Sequence, residues 1–214
     1  MCSGPELREL SAEQFTAELD ALAGIYALAM AAPAAELPGR MSIMERHAGY
    51  PAFRAVVAVQ PIEQGRRQHR GGAAAADRRA LVGFAYGFHG SAGQWWHDVV
   101  ADSLAARRGS EAAGHWLGDS FEFAEVHVHP DHQARGTGRA MMHTLAAGRP
   151  ERTAMLSTPH GQTRARRLYR SLGFVDLLSA FSFPGAGPAY AIMGAALPLR
   201  GAPPDARSAS PSRW

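Results

Sequence analysis

Residues 128–142 read VHPDHQARGTGRAMM, and two glycines and two arginines at such a junction suit one kind of chemistry. A strand that gives way to a Gly-rich loop and then a helix offers backbone N–H groups with no partner inside the helix, a ready seat for phosphate. Gly136 and Gly138 keep side chains out of the way of those amides, and Arg135 and Arg139 can add charge-assisted hydrogen bonds. Two familiar phosphate loops do not fit. The dinucleotide fingerprint needs Gly or Ala where this chain has Met141, and the P-loop needs a lysine, of which the chain has none. Immediately upstream, Glu122, Glu125, His127 and His129 supply acid–base groups. Period-two alternation places Glu125, His127 and His129 on one strand face and Glu122 on the other. A converging Glu125, His127 and His129 could hold a metal, but there is no cysteine partner and no helical histidine pair, so no metal is expected.

The elements around this loop alternate in type. A short strand at 6–10 precedes a helix at 12–31, with Ser11 as N-cap and Phe15, Leu19, Leu22, Ile25, Tyr26 and Met30 at helical spacing. A second helix is expected at 38–48, then strands at 53–60 and 80–90 joined by a flexible, Gly- and Arg-rich loop at 63–79. Residues 91–120 form a helical insertion between the third and fourth strands, with helices at 98–107 and 111–117. A strand at 121–128, a helix at 138–147, a strand at 153–157, a helix at 162–172 and strands from 173 and at 188–195 complete the order. The expected fold is α/β, a mixed central sheet of about six to seven strands flanked by helices. One domain covers 1–200, and the Pro/Ser/Ala-rich 201–214 is a disordered tail.

Composition narrows the chemistry. The chain has 214 residues, 46% of them hydrophobic, which suits one ordinary core. It holds no run long enough for a membrane span and no N-terminal signal pattern, so a membrane role is excluded and a cytoplasmic location expected. The single cysteine, Cys2, cannot form an internal disulfide and sits where no covalent intermediate is expected. Lys and Asn are both absent, so all 22 basic residues are Arg, as the codon usage of a GC-rich bacterial genome would produce. The arginines are interspersed with carboxylates, and nucleic acid is not an expected partner.

The run Gln133-Ala134-Arg135-Gly136-Thr137-Gly138 resembles the acyl-CoA-binding signature, Q/R-x-x-G-x-G/A, of the GCN5-related N-acetyltransferases. Downstream, Gln162-Thr-Arg-Ala165-Arg166-Arg-Leu168-Tyr169 followed by Gly173-Phe174 is similar to that family's second motif, with Gln in place of its usual Asn. The order of elements from about residue 5 to 195 matches as well. The resemblance implies acetyl-CoA as cosubstrate, held by Gln133 through Arg139, by Gln162 and Arg166, and by the main chain of Val126 and Val128 on a strand splayed from its parallel neighbour. It implies Glu122 as the base, with Glu125 and His127 as alternatives, and Tyr169 as the acid for the leaving thiolate. Trp95 and Trp96, just after the strand that borders the acceptor cleft, would line the substrate pocket or pin the insertion to the core. The implied activity is direct transfer of an acetyl group to a primary amine, and the insertion at 91–120, which would narrow the cleft, favours a small molecule over a peptide; a homodimer is a candidate assembly. The competing reading is a catalytically silent acyl-CoA sensor of the same fold.

Overall fold

The computed structural model of the chain describes residues 4–61, 79–185 and 187–202. Its strands are β1 (Glu6–Leu10), β2 (Arg54–Pro61), β3 (Arg79–His89), β4 (Ser120–Val128), β5 (Thr153–Pro159), β6 (Val175–Phe181) and β7 (Tyr190–Ala196), joined in one sheet of order β1-β2-β3-β4-β5-β7-β6. Among the described residues only β4 and β5 pair in parallel. The loop expected at 63–79 lies outside the described residues apart from Arg79, which opens β3, as do residues 203–214 of the expected tail and Cys2.

Among the described residues seven α-helices cover the sheet: α1 (Ala12–Ala17), α2 (Leu19–Met30), α3 (Leu37–Ala48), α4 (Trp95–Arg108), α5 (Ser110–Leu117), α6 (Thr137–Ala146) and α7 (Arg164–Ser171). The single helix expected at 12–31 is divided at Glu18, whose φ of −100° and ψ of 8° break the helical run. The break lets Phe15 turn down onto Tyr86 (ring centroids 4.9 Å apart) while α2 presents Leu22, Ile25 and Tyr26 to β3 and β4. Ser11 caps α1 reciprocally with Gln14, satisfying two orphan donors at once. Met30, expected on the buried stripe, is 46% exposed and borders the cleft described below.

One face of the sheet carries α6 and α7 over a core that includes Phe121, Phe123, Met141, Met142, Leu145 and Leu172. Each fully buried side chain of this size contributes about 1.5–3 kcal/mol. The opposite face is covered in two parts. Helices α1–α3 sit over β2 and β3 with Phe15, Leu22, Met44, Phe84, Tyr86 and Phe88, while α4 and α5, the insertion between β3 and β4, sit over β5–β7 with Val100, Leu104, Leu117, Met155 and Ile192. Between these two groups the sheet itself opens. β4 and β5 pair only from Ser120↔Thr153 to Glu122↔Met155, whereas β5 stays paired with β7 as far as Pro159↔Tyr190. Beyond Glu122, therefore, β4 leaves its parallel neighbour and its outer edge turns to a gap.

Candidate active site

The cleft of about 1380 Å³ over this gap gathers side chains from both halves of the molecule. Its floor is β4 from Glu122 to Val128. One wall is the loop at Gln133–Arg139 with α7, and the other is α2, α3 and the start of α4.

A one-residue irregularity in β4 decides which side chains meet here. Tyr86 pairs with Glu125 but Gly87 pairs with Phe123, leaving Ala124 as the extra residue of a β-bulge. Tyr86 and Phe88, two residues apart on β3, share the face beneath α1–α3, so their cross-strand partners Glu125 and Glu122 share it too. Alternation alone put those two carboxylates on opposite faces. The bulge shifts the alternation by one residue, and Glu122, Glu125 and His127 stand on the same side of the sheet, while Phe121, Phe123, Val126 and Val128 point to the α6 core. A side chain is excluded at Gly87, where a Cβ would collide with the Glu122 carbonyl and reach within 2.6 Å of the Phe121 ring.

The two carboxylates are held differently. Glu122 stands at the last pair before the strands part, is 4% exposed, and its Oε1 has no hydrogen-bond partner. Burial, helped by the negative charge of Asp98, pushes its carboxyl up to about 8. Glu125 is 8% exposed but fully engaged: Oε1 accepts from Arg40 Nη1 at 2.9 Å and Oε2 is bonded to His127 Nε2. Arg40 also donates to the Tyr26 hydroxyl at 3.1 Å and lies over that ring, and His127 packs edge-on against Tyr26. His47, bonded to the Tyr86 hydroxyl at 3.0 Å, is lowered to about 4 mainly by burial, with Arg46 and Arg40 adding to the effect. The expected convergence of His129 with Glu125 and His127 does not occur. His129 Nδ1 instead accepts from the Asp131 amide at 3.3 Å, and its ring lies against His132.

Across the gap, the loop has the features a phosphate seat requires. Gly136 has φ of 86°, a left-handed conformation that directs the chain into α6. Thr137, the first residue of α6, is 5% exposed with its Oγ1 unpartnered. Gly138 has no Cβ where one would lie 3.4 Å from Leu168 of α7, so α6 and α7 approach closely at this end. Gln133 Nε2 donates to the Val128 carbonyl at 3.1 Å and thereby ties the loop to the end of β4. Among the described residues, then, an orphaned hydroxyl, free helix N–H groups and an unpaired strand edge fit the pyrophosphate and amide-rich arm of a CoA ester.

The structure separates the remaining residues singled out from the sequence. Tyr169, 7% exposed and lining the cleft, is raised to about 12, mostly by burial and further by the charge of Glu125. Ala134 and Arg139 reach the cleft, but Arg139 Nη2 is held by Ser171 Oγ at 2.6 Å. Arg135 is exposed and does not line the cleft. Gln162 and Arg166 also lie away from it. Gln162 accepts from Arg170, and Arg166, 5% exposed, pairs with Asp176 at 2.8 Å and donates to the Gly161 carbonyl, fastening α7 to β6. Arg164 and Arg167, their neighbours on α7, take their place at the rim. Trp95 and Trp96 both border the cleft. Trp95 is 58% exposed and meets Phe183 at 5.5 Å, while Trp96 donates to Ser157 Oγ at 3.3 Å and packs on the α4–α5 core, so it lines the cleft and pins the insertion together.

Sequence reasoning missed Tyr26, Arg40, Arg46, His47 and Tyr50. Nothing in their local pattern marks them, since only the packing of α2 and α3 over the bulged strand brings them to the cleft.

Comparison with known proteins agrees with this geometry. The acetyltransferase (GNAT) domain family matches residues 73–176. The chain is 42% identical over 132 residues to a GCN5-like protein acetyltransferase of Mycobacterium tuberculosis, a match covering 59% of this chain and 64% of that protein's length. Among solved structures, a GNAT-family protein from Desulfovibrio desulfuricans shares the fold with a TM-score of 0.56 at 14% identity, over 89% of this chain and 98% of that one. PaiA N-acetyltransferase from Thermoplasma acidophilum, solved with coenzyme A, does so with a TM-score of 0.50 at 10% identity, over 91% and 99%. The splayed β4–β5 pair, the glycine loop at the head of α6 and the match to the acetyltransferase (GNAT) domain family all fall on one stretch, residues 73–176.

Proposed function

We propose that the protein is an acetyl-CoA-dependent N-acetyltransferase that moves the acetyl group directly to a primary amine, with both reactants in the one cleft. The observation that carries this reading is the position of Glu122, a buried and unpartnered carboxyl at the point where β4 and β5 part. Acetyl-CoA supplies the acyl group as a thioester. The backbone of Gly136–Gly138 and the Thr137 hydroxyl would hold its pyrophosphate, and the free edge of β4 at Val126 and Val128 its pantetheine amides.

The chain's own residues then divide the proton work. An ammonium must lose a proton before it can attack, and a carboxyl tuned to about 8 is matched to that task near neutral pH. Glu122 takes the proton, directly or through one water. As the amide C–N bond forms, the C–S bond breaks, and Tyr169, neutral until about 12, has a hydroxyl proton to offer the sulfur. Glu125 is a poorer base because Arg40 and His127 already occupy both its oxygens.

The acceptor end favours a small molecule. It is walled by α2 and α3, by α4, and by the β6–β7 connection, with Trp95 against Phe183 joining the last two. A peptide amine is the second reading, favoured by the name of the mycobacterial relative, a protein acetyltransferase. Calorimetric titration with acetyl-CoA, with dephosphorylated CoA and NADH as controls, tests the cofactor half. Saturable micromolar binding of acetyl-CoA is expected, and its absence would remove the transferase reading. Release of CoA thiol across an amine panel tests the rest, and a protein that binds acetyl-CoA without ever releasing thiol would be a sensor.

A further inference from the structure

The charges on the acceptor side of the cleft do not balance. Among the described residues two carboxylates reach it, Glu122 and Glu125. Glu125 is matched by Arg40 at 2.9 Å and by His127, and Glu122, 4% exposed at the cleft floor, makes no ion pair with a guanidinium among the described residues. Arg46, on the same wall of α3, is exposed to the cleft and makes no ion pair or side-chain hydrogen bond among the described residues. Arg139, Arg164 and Arg167 also line the cleft, but on the wall formed by the phosphate loop and α7, where the phosphates of a CoA ester would meet them. Among the described residues one guanidinium is therefore left over on the acceptor wall, in a cleft that Tyr26, Tyr50 and Phe88 also line.

We infer that the acceptor is an amine carrying a carboxylate, which Arg46 receives while the amino group faces Glu122. This rests on the acetyltransferase reading above and specifies its substrate class. A guanidinium takes a carboxylate through two parallel N–H···O bonds, a geometry an ammonium cannot match. The same positive charge, with the buried Glu122 as the one unpaired carboxylate among the described residues that line the cleft, repels a second ammonium. Polyamines and arginine- or lysine-rich peptides are thus poor acceptors for this cleft. Such an arrangement also helps the chemistry, because a cation close to the amino group favours its neutral form.

The test uses matched pairs differing only in the carboxylate. Phenylalanine against phenethylamine and lysine against cadaverine, with spermidine as the polycation, are assayed with the full chain and acetyl-CoA by release of CoA thiol. In parallel, N-acetylphenylalanine and N-acetylphenethylamine are titrated into the protein with CoA, a readout that needs no turnover. The carboxylate member of each pair is expected to win by about tenfold in kcat/KM and in affinity. R46E should erase that advantage mainly through KM, leave the decarboxylated amines unchanged or improved, and preserve acetyl-CoA affinity, while R46Q falls between. Equal binding of the two N-acetyl products, better turnover of phenethylamine or spermidine, or an R46E variant that slows both members of a pair alike would overturn the inference. In those cases thiol release persists and the transferase reading stands. If instead acetyl-CoA does not bind at all, both fall together.

Discussion

Glu122 and Glu125 lie three residues apart on one strand and face the same cleft, yet they stand on either side of a bulge in opposite electrostatic worlds. Below the bulge, β4 is still paired to β5, and Glu122 is surrounded by sheet, with an oxygen that nothing solvates. Above it the strand is free on one edge, α3 reaches over, and Glu125 is locked between a guanidinium and an imidazole. The residue type is the same. What differs is whether the fold supplies a counter-charge: Glu122 has none and burial raises its carboxyl, whereas Glu125 is held by Arg40 and His127.

The harshest way to break this comparison is to delete Ala124. Without the extra residue the alternation of β4 would be regular, and either Glu122 or the Glu125–His127 pair would have to turn into the α6 core. Complete loss of turnover is expected together with a fall in thermal midpoint of ten degrees or more, on the order of 2–4 kcal/mol for a chain of this size. A soluble, active deletion variant would show that the bulge does not set the site.

Replacing Glu122 by Gln should come next, lowering kcat by about 10²–10⁴-fold while acetyl-CoA affinity measured calorimetrically stays within about twofold. The pH dependence sharpens the point. With its folded-state value near 8, above the ordinary carboxylate value, Glu122 as the proposed base requires deprotonation, so kcat/KM should rise as pH increases toward 8 and the rise should vanish in the Gln variant. Stability runs the other way. Between the unfolded value near 4.5 and 8 the folded state binds the extra proton, so its contribution is complete below 4.5 and is lost as pH rises through 8. Denaturant melts of the wild type should therefore lose stability over that window relative to E122Q, and parallel curves would show that Glu122 is already ionised.

Y169F should cost about 10–100-fold in kcat with little change in acetyl-CoA binding, provided its hydroxyl is the proton donor. Full activity would reduce Tyr169 to a packed ring against Phe174. The smallest effect on chemistry and a clear one on stability are expected at Glu125. E125A leaves Arg40 without its partner, and because that side chain is one-third exposed the loss should be about 1–2 kcal/mol, with KM for the acceptor rising more than kcat falls. A larger fall in kcat than that of E122Q would reverse the roles assigned here.

Much of the phosphate half could be read directly from the chain, because its work is done by backbone. Two glycines at fixed spacing before a helix specify where amides are free, and Gly136 and Thr137 sit where that spacing put them. Side-chain assignments on the same wall were less legible. Arg135, Gln162 and Arg166 occupy motif positions, yet Arg166 is spent on Asp176 and Gln162 on Arg170, whereas Arg164 and Arg167, two places and one place from Arg166, face the cleft. One helical step of 100° separates a rim residue from a buried anchor, and the pattern of a short, arginine-rich helix does not say which face its neighbours leave open.

By itself, then, the sequence determined the order of strands and helices, the loop at 133–138, and the presence of acid–base residues on the strand before it, since all of these follow from local periodicity and from the conformational limits of Gly and Pro. The tertiary structure alone decided that Glu122 and Glu125 share a face, that one is unpartnered and the other paired, and that Arg40 and Arg46 come to the cleft. Those outcomes depend on a single unpaired residue in a strand pairing and on helices some eighty positions earlier in the chain. Cross-strand register and long-range packing fix them, and neither is written in any local window of residues.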